Sequence, residues 1–448
     1  MAVHALTRRT LIGTSLASLT GTGLLTACAG AERSSGSAPP APDKISGTVE
    51  FWFPNDPQGV SGQAVLELSS RFQQKYPRIA VNGTHTPTSG QQPMLDKLTA
   101  AIAGGTPPDV VNFDRFQVPA WAARGAFNDL TDLAKRDGIK ESDYFPFAWR
   151  EASYHGRLYA LPWDTDARAL YANTTALADA GLDPKKRPMS FVELDTMTER
   201  LARTAEGRIT RFGLIPWRGQ GRITLWGWAF GGEWYDEKTD RVTATDPRLV
   251  AAAEWMASYA RRWSYDALTA FQQGLGSREN DPFLTGQIAL LADGDWRMAD
   301  FARYGPNVPY DVWPFPTADG RPFTWAGGWS YVVPVGAKNS AGGWELAKFF
   351  CGKEGQDYYC KATAHIPTHI EASKDPYYRE DPRHAVFMDL MPHARSRPPI
   401  PEGLLLWQEQ ARAQTDIVQL KRTPREALEE LERVVNLEIE KRKAAGKK

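Results

Sequence analysis

Between Val49 and Phe113 short apolar runs alternate with amphipathic stretches of helical period, and this alternation narrows the possible folds more than any other feature. Val49-Glu50-Phe51-Trp52-Phe53 reads as a strand, stopped by Pro54-Asn55-Asp56-Pro57. Ala64, Leu66, Leu68 and Phe72 then mark the apolar face of a helix that ends before Tyr76-Pro77. Ile79-Ala80-Val81 reads as a second strand. Met94, Leu95, Leu98 and Ile102 give the next helix its face, and Gly104-Gly105 closes it. Asp109 to Phe113 has the pattern of a buried strand leading into Asp114-Arg115-Phe116. The β-α-β-α-β order predicts a mainly parallel sheet with helices on both faces. Ligands of such sheets bind at the carboxyl ends of the strands. Asn55 and Asp56, and Asp114 and Arg115, each sit just past a strand end and are therefore candidate ligand contacts.

Further along, Tyr159 to Asn173 is extended, carries Asp164, Asp166 and Arg168 mid-strand, and reads as a crossing between two lobes. From Leu177 to Met298 the chain is helix-rich, with clear helices over 191–203 and 247–262 and after Trp296. Between them Trp226-Gly227-Trp228-Ala229-Phe230-Gly231-Gly232 reads as a tight aromatic-glycine turn. Thr423-Pro424-Arg425-Glu426 is a helix start, with an N-cap Thr, Pro at N1 and Glu at N3. No tandem repeat is present.

The N-terminal segment speaks to location. Arg8-Arg9 precedes a charge-free stretch from Leu11 to Ala27 that ends in Leu25-Thr26-Ala27-Cys28. That run is shorter than the roughly 20 apolar residues a membrane span needs. It resembles a bacterial lipoprotein signal over 1–27, with Leu25-Thr26-Ala27-Cys28 as lipobox. The arginine pair looks like a twin-arginine export signal, with ordinary Sec export and an uncleaved anchor as the alternatives. Cys28 is then expected to be the lipidated N-terminus, holding the chain on the extracellular face of the cell membrane. Residues 28–43 follow as a small, Pro-rich tether with a reach of roughly 20 Å. About 400 residues remain, too many for one core and suited to two domains.

Formal charge balances at +0, from 53 basic and 53 acidic residues, and no basic tract points to nucleic acid or anionic lipid. The partner expected from this balance is neutral or small. Of 3 cysteines, Cys351 and Cys360 remain if Cys28 is lipidated. On one straight helix they would lie about 13 Å apart, beyond disulfide reach, whereas a break at Gly352 or Gly355 would let them meet, so a bridge stays open. The 16 tryptophans, often beside Asp, Gly or Pro, point to a lined cleft.

Several segments together carry a family resemblance over essentially the whole chain. They are Gly104-Gly105-Thr106-Pro107-Pro108-Asp109-Val110, Leu161-Pro162 leading to Leu170-Tyr171-Ala172-Asn173, and Phe283-Leu284-Thr285-Gly286-Gln287-Ile288-Ala289-Leu290. Gly294-Asp295-Trp296 and Trp325-Ala326-Gly327-Gly328-Trp329-Ser330 complete the set. In this order, behind a lipobox, they resemble a sugar-binding lipoprotein of the family 1 extracellular solute-binding proteins, the substrate receptors of bacterial ABC importers. The resemblance implies an α/β, two-lobed periplasmic-binding-protein-like fold, each lobe a mainly parallel sheet flanked by helices. It implies three crossings, placed near 164–168, 316–322 and 366–370. Lobe one is then 44–166 plus 322–367, and lobe two 167–321 plus 368–448. Its partners are a carbohydrate closed between the lobes, permease subunits and, through them, an ATPase. A monomer is expected, with no cofactor, metal or catalytic residue. Position by position, Asp114 and Arg115 match the polar pair that takes sugar hydroxyls, Asp166 an acidic position on the crossing, and Trp296 and Trp407 stacking aromatics. Trp226 and Trp228 fall in a variable aromatic segment. Ala172 stands where relatives usually carry a second tyrosine.

These residue types suit a neutral sugar, and the abundance of tryptophan points to an oligosaccharide of two or more rings. Carboxylates, amides and guanidinia satisfy its hydroxyls, and its C–H faces sit on indole. The candidate contacts are Asn55, Asp56, Asp114, Arg115, Trp163, Asp164, Asp166, Trp226, Trp228, Asp295, Trp296, Gly328, Trp329 and Trp407. Trp52, Trp121, Trp255 and Trp344 sit at strand or helix spacing and read as core, and Asp164 with Asp166 also fits a structural pair at a hinge. Two rivals remain: a surface glycan-binding or sensor lipoprotein without a transport role, and a secreted glycoside hydrolase or lyase using Asp166 and Asp295. The chain has no Gly-x-Ser-x-Gly, no Walker A and no convincing metal-ligand spacing, since His365 and His369 straddle Pro367.

Overall fold

The computed structural model describes residues 44–87 and 92–445. The expected signal, the lipidation site Cys28 and the tether lie outside the described residues.

The alternation seen in the sequence builds the first sheet. Gly47–Phe53 pairs in parallel with Ile79–His85 on one side and with Val110–Asp114 on the other. The connecting helices Val60–Lys75 and Gln92–Ala103 occupy the stretches expected of them. Two later strands complete the sheet: Trp329–Val332 runs antiparallel beside Val110–Asp114, and Ala160–Pro162, antiparallel to it in turn, returns to the direction of the first three strands. Four of the five strands therefore share one direction, and Trp329–Val332 is the one that is reversed. Local pattern sets strand and helix, whereas direction depends on the end from which a distant segment re-enters the sheet.

The second sheet departs further from the expected parallel arrangement. Arg168–Asn173 lies between Leu290–Gly294 and Tyr310–Trp313, antiparallel to both. Alternation along it sends Leu170 and Ala172 into one core and Ala169 and Tyr171 into another, so helices cover both faces. Ala172 is fully buried, and the missing tyrosine leaves no gap toward solvent.

Each lobe has its own core. Val49, Phe51, Phe113, Trp163, Tyr331 and Phe350 belong to the first. Trp226, Leu249, Trp255, Leu428 and Leu431 belong to the second. Trp121, Trp255 and Trp344 are buried as read, while Trp52 is half-buried under the Lys97 ammonium. The segment 226–232 is a turn only at its end: Ile223–Ala229 is a wholly buried helix, and Trp226 and Trp228 on it pack in the second core. The C-terminal helix Pro424–Ala445 starts as its sequence requires. The Thr423 N–H donates to the Glu426 carboxylate at 3.0 Å, and the Glu426 N–H donates back to Thr423 Oγ1 at 3.3 Å.

Crossing segments meet between the lobes. Asp164–Thr165 pairs antiparallel with Ile366–Pro367. Thr324–Trp325 pairs with Ala394–Arg395, and Trp325 packs into the second core, whereas Trp329 already lies in the first sheet. Among the described residues no helix is long and apolar enough to cross a membrane. Cys351 ends the helix Ser340–Cys351 and Cys360 lies in Lys353–Thr363, with Gly352 breaking the rod between them. The break does not produce a bridge. Both are buried free thiols, and Cys351 Sγ donates to the Leu161 carbonyl at 3.3 Å instead.

Candidate functional site

The carboxyl end of Val110–Asp114 brings Asp114 opposite Trp329 in the neighbouring strand. In the other lobe, antiparallel pairing sets Arg168 beside Gly294, and so beside Asp295 and Trp296. Between these edges lies a cavity of about 300 Å³. The first lobe lines it with Asn55, Ser61, Asp114, Gly328, Trp329 and Tyr359. Asp166 and His365 reach it from the crossings. The second lobe supplies Arg168, Gln220, Arg222, Trp296, Trp325, Arg397 and Trp407.

Two glycines are obligatory here. Gly328 has φ +124°, and a Cβ on it would lie 2.3 Å from the Asp164 carbonyl oxygen. A Cβ on Gly294 would fall 1.9 Å from the Trp296 ring, so only glycine lets that indole fold back over the strand. Trp296 is then held parallel to the His365 ring, centroids 5.7 Å apart and planes at 20°, with the Arg168 guanidinium 5.3 Å from its centre. Trp407 and Trp325 lie 5.7 Å apart, and the Arg397 guanidinium lies over both.

Of the sequence-predicted residues, Asn55, Asp114, Asp166, Trp296, Gly328, Trp329 and Trp407 line the cavity, and seven others do not. Arg115 turns the opposite way from Asp114, as successive residues leaving a strand do. It is fully buried and its donors are committed: Nε to Glu151 at 2.8 Å, Nη1 to the Asp164 carbonyl at 2.6 Å, and Nη2 to the Gly327 carbonyl. Asp114 instead pairs across the cleft with Arg397, at 2.9 Å and 3.4 Å. Trp163 is core, its ring centre 3.9 Å from Tyr359 and 5.0 Å from Tyr331. Trp226 donates to the Pro216 carbonyl inside the second core, and Trp228 packs beside Trp325 without reaching the cavity. Asp56 is exposed, accepts from the Gln58 N–H, and meets Arg278 of the other lobe at 3.3 Å.

Asp164 and Asp295 lie behind the cavity wall and shape the backbone. Asp164 Oδ1 accepts from the Trp329 N–H at 2.6 Å, while its Oδ2 is buried with no hydrogen bond and sits 3.9 Å from His365 Nε2. Burial, with Asp166 adding to it, pushes the Asp164 carboxyl up to about 7. Asp295 accepts from the N–H groups of Ala167 and Trp296, and burial, reinforced by Asp166, raises it well above the ordinary range. His365 is driven the other way by burial, to about 4, and is neutral near pH 7. Asp166 accepts from the Gly327 N–H at 2.6 Å and from Arg168 Nη1. Among the described residues no group of three His, Cys, Asp or Glu side chains is placed to hold a metal ion.

Sequence reasoning missed Ser61, Arg168, Gln220, Arg222, Trp325, Tyr359, His365 and Arg397. Arg168 was accessible, because Asp164, Asp166 and Arg168 recur every second residue along an extended segment. Trp325 stood inside a quoted motif. Nothing local marks Arg222 or Arg397, which arrive from chain segments far from the strand ends.

A larger groove of about 900 Å³ runs between the helix Val60–Lys75 and the helix Arg297–Tyr304. No tryptophan lines it and the strand that reaches it, Tyr310–Trp313, does so by its amino end, so the smaller cavity is the candidate site.

A two-lobed α/β chain with strand ends, indoles and ion pairs converging on one interlobe cavity defines a cleft-type binding protein. The chain belongs to the family of bacterial extracellular solute-binding proteins, whose family model matches residues 67–386. Among curated relatives, the diacetylchitobiose binding protein DasA of Streptomyces coelicolor is 27% identical over 60% of this chain, and the match spans 63% of DasA's length. The maltotriose-binding protein of Pyrococcus abyssi is 22% identical over 81% of this chain and 75% of its own. Among solved structures, CpMnBP1 with mannobiose bound superposes with a TM-score of 0.79 at 25% identity, covering 87% of this chain and 99% of that one.

Proposed function

We propose that this protein is the extracellular receptor of a bacterial ABC importer, capturing a saccharide between its lobes and presenting it to the permease subunits. The observation that carries the reading is the cavity wall: Trp296, Trp325, Trp329 and Trp407 alternate with Asp114, Asp166 and three arginines. Indole faces suit the C–H faces of a pyranose, and carboxylates and guanidinia suit its rim of hydroxyls. The names of the relatives, which bind diacetylchitobiose, maltotriose and mannobiose, support the same class of ligand.

Binding without catalysis is part of the proposal. A hydrolase needs two carboxylates free to face one bond, whereas the two that line the cavity, Asp114 and Asp166, are held by Arg397 and Arg168, and Asp295 is buried on backbone N–H groups. The lobes are drawn as 44–166 plus 328–367 and 167–325 plus 368–448. We draw the middle passage at 326–327 rather than 316–322, a choice supported by the pairing of Thr324–Trp325 with Ala394–Arg395. Hinge closure about these passages, lipidation at Cys28, twin-arginine export and anchoring on the outer face of the membrane complete the proposal. The test is a thermal-shift screen of the chain without 1–43 against mono- and oligosaccharides. A ligand at 100 times its Kd stabilises by about 2.7 kcal/mol. A screen in which no saccharide raises the midpoint would sink the reading.

A further inference from the structure

The charges in the cavity do not balance. Its two lining carboxylates are already engaged: Asp114 with Arg397 at 2.9 Å, and Asp166 with Arg168. Arg222 is the third guanidinium. Among the described residues it has no carboxylate within ion-pair distance, and its Nε is buried without a hydrogen-bond partner. Its planar group lies over the Trp407 ring at 5.0 Å, an arrangement that occupies the π face and leaves the N–H edge for another acceptor.

The surroundings do not supply the missing anion. Gln220, which shares the wall, is neutral. His365 is neutral near pH 7, and burial holds Asp164 and Asp295, behind the wall, toward their protonated forms. Asp293 is the carboxylate whose field reaches Arg222, but it forms no ion pair with it, and burial raises its carboxyl toward the protonated form. Burial and the positive fields of Arg397 and Arg168 all disfavour the charge on Arg222. A half-buried guanidinium whose Nε is shut away from water, beside two others, calls for an anionic partner.

Resting on the saccharide reading above, we infer that the cavity takes a saccharide carrying one oxyanion, which docks on Arg222. A sugar hydroxyl accepts a hydrogen bond but leaves the charge standing, whereas a carboxylate or phosphate oxygen pair meets the guanidinium edge and cancels it. The expectation of a neutral ligand came from the overall charge of the chain, which has no bearing on the balance inside one cavity.

The test is calorimetry with matched pairs: cellobiose against cellobiouronate for a carboxylate, and glucose against glucose 6-phosphate for a phosphate. In at least one pair the acidic member should bind about tenfold or more tightly than its neutral counterpart. Arg222→Gln should abolish that advantage and Arg222→Lys, which keeps the charge but not the paired N–H edge, should keep part of it, with circular dichroism showing both variants folded. Which pair shows the preference identifies the oxyanion. Neutral members that bind as tightly as the acidic ones, or an acidic preference that survives in Arg222→Gln, overturn the inference and leave the saccharide reading standing. Failure of every sugar in both pairs and in the wider screen removes both.

Discussion

The two walls of the cavity are built on opposite plans. The first-lobe wall is set by backbone: Asp114 and Trp329 face each other across a strand pair, and Gly328 is pressed against the chain of Asp164. Behind it Arg115 ties Glu151 to two carbonyls of the crossing segments. The second-lobe wall is set by side chains: Trp296, Trp325 and Trp407, with Arg168, Arg222 and Arg397 lying over their rings. The first plan gives a rigid edge with few charges of its own. The second gives broad faces and most of the positive field. Asp114–Arg397 is the contact inside the site that joins them.

Breaking the foundation of the first wall should have the largest effect. Arg115→Met leaves Glu151 buried without its cation and should cost about 3–5 kcal/mol of folding stability, read by urea unfolding. A loss under about 1 kcal/mol would mean that Arg115 does not carry the wall. On the second wall, Trp296→Ala should leave stability nearly unchanged and weaken the saccharide found by screening by about 2–4 kcal/mol in calorimetry. The reverse pattern would make Trp296 a packing residue.

The link between the walls is tested by a double-mutant cycle of Asp114→Asn and Arg397→Gln. Unfolding free energies should show a coupling of about 0.5–3 kcal/mol, and strict additivity would show that the pair does not hold the lobes together.

The smallest effect is in pH dependence, from two buried groups 3.9 Å apart with opposite slopes. Asp164 titrates near 7 in the folded chain, so the unfolded chain ionises first and stability falls as pH rises from about 4 to 7. His365 titrates near 4 when folded, so the unfolded chain gains its proton first and stability is lost as pH falls from about 6.5 to 4. Each slope is at most about 1.4 kcal/mol per pH unit, and in the wild type they oppose. Asp164→Asn should therefore gain on wild type as pH rises through this window, and His365→Gln should gain as it falls. Parallel pH profiles for all three proteins would refute both assignments.

Much of the fold was legible in local pattern. The run from Val49 to Asp114 declared its strands and helices because period-two and period-3.6 hydrophobicity are properties of contiguous residues. Thr423 and Glu426 declared a helix start because a capping box closes within four residues. Asp114 was legible because it falls at a strand end and Asp166 because it lies on a crossing, where the architecture leaves room for a ligand, whereas Trp296 was given by the family resemblance alone.

What the sequence could not decide was direction, partnership and charge balance. Antiparallel pairing of Arg168–Asn173 with Leu290–Gly294 depends on the end from which a segment more than 100 residues away enters the sheet. Arg115 seemed the natural partner of Asp114 because it is adjacent, yet leaving a strand sends neighbours to opposite sides, and the acid found Arg397 across the cleft. The indoles of Trp163 and Trp226 looked like those of Trp296 and Trp407, and only packing separated core from cavity. Local sequence thus determined which elements form and where the strands end. The tertiary structure decided which charges meet, because electrostatic pairing depends on distance in space, and that left Arg222 the one lining arginine without a carboxylate partner among the described residues.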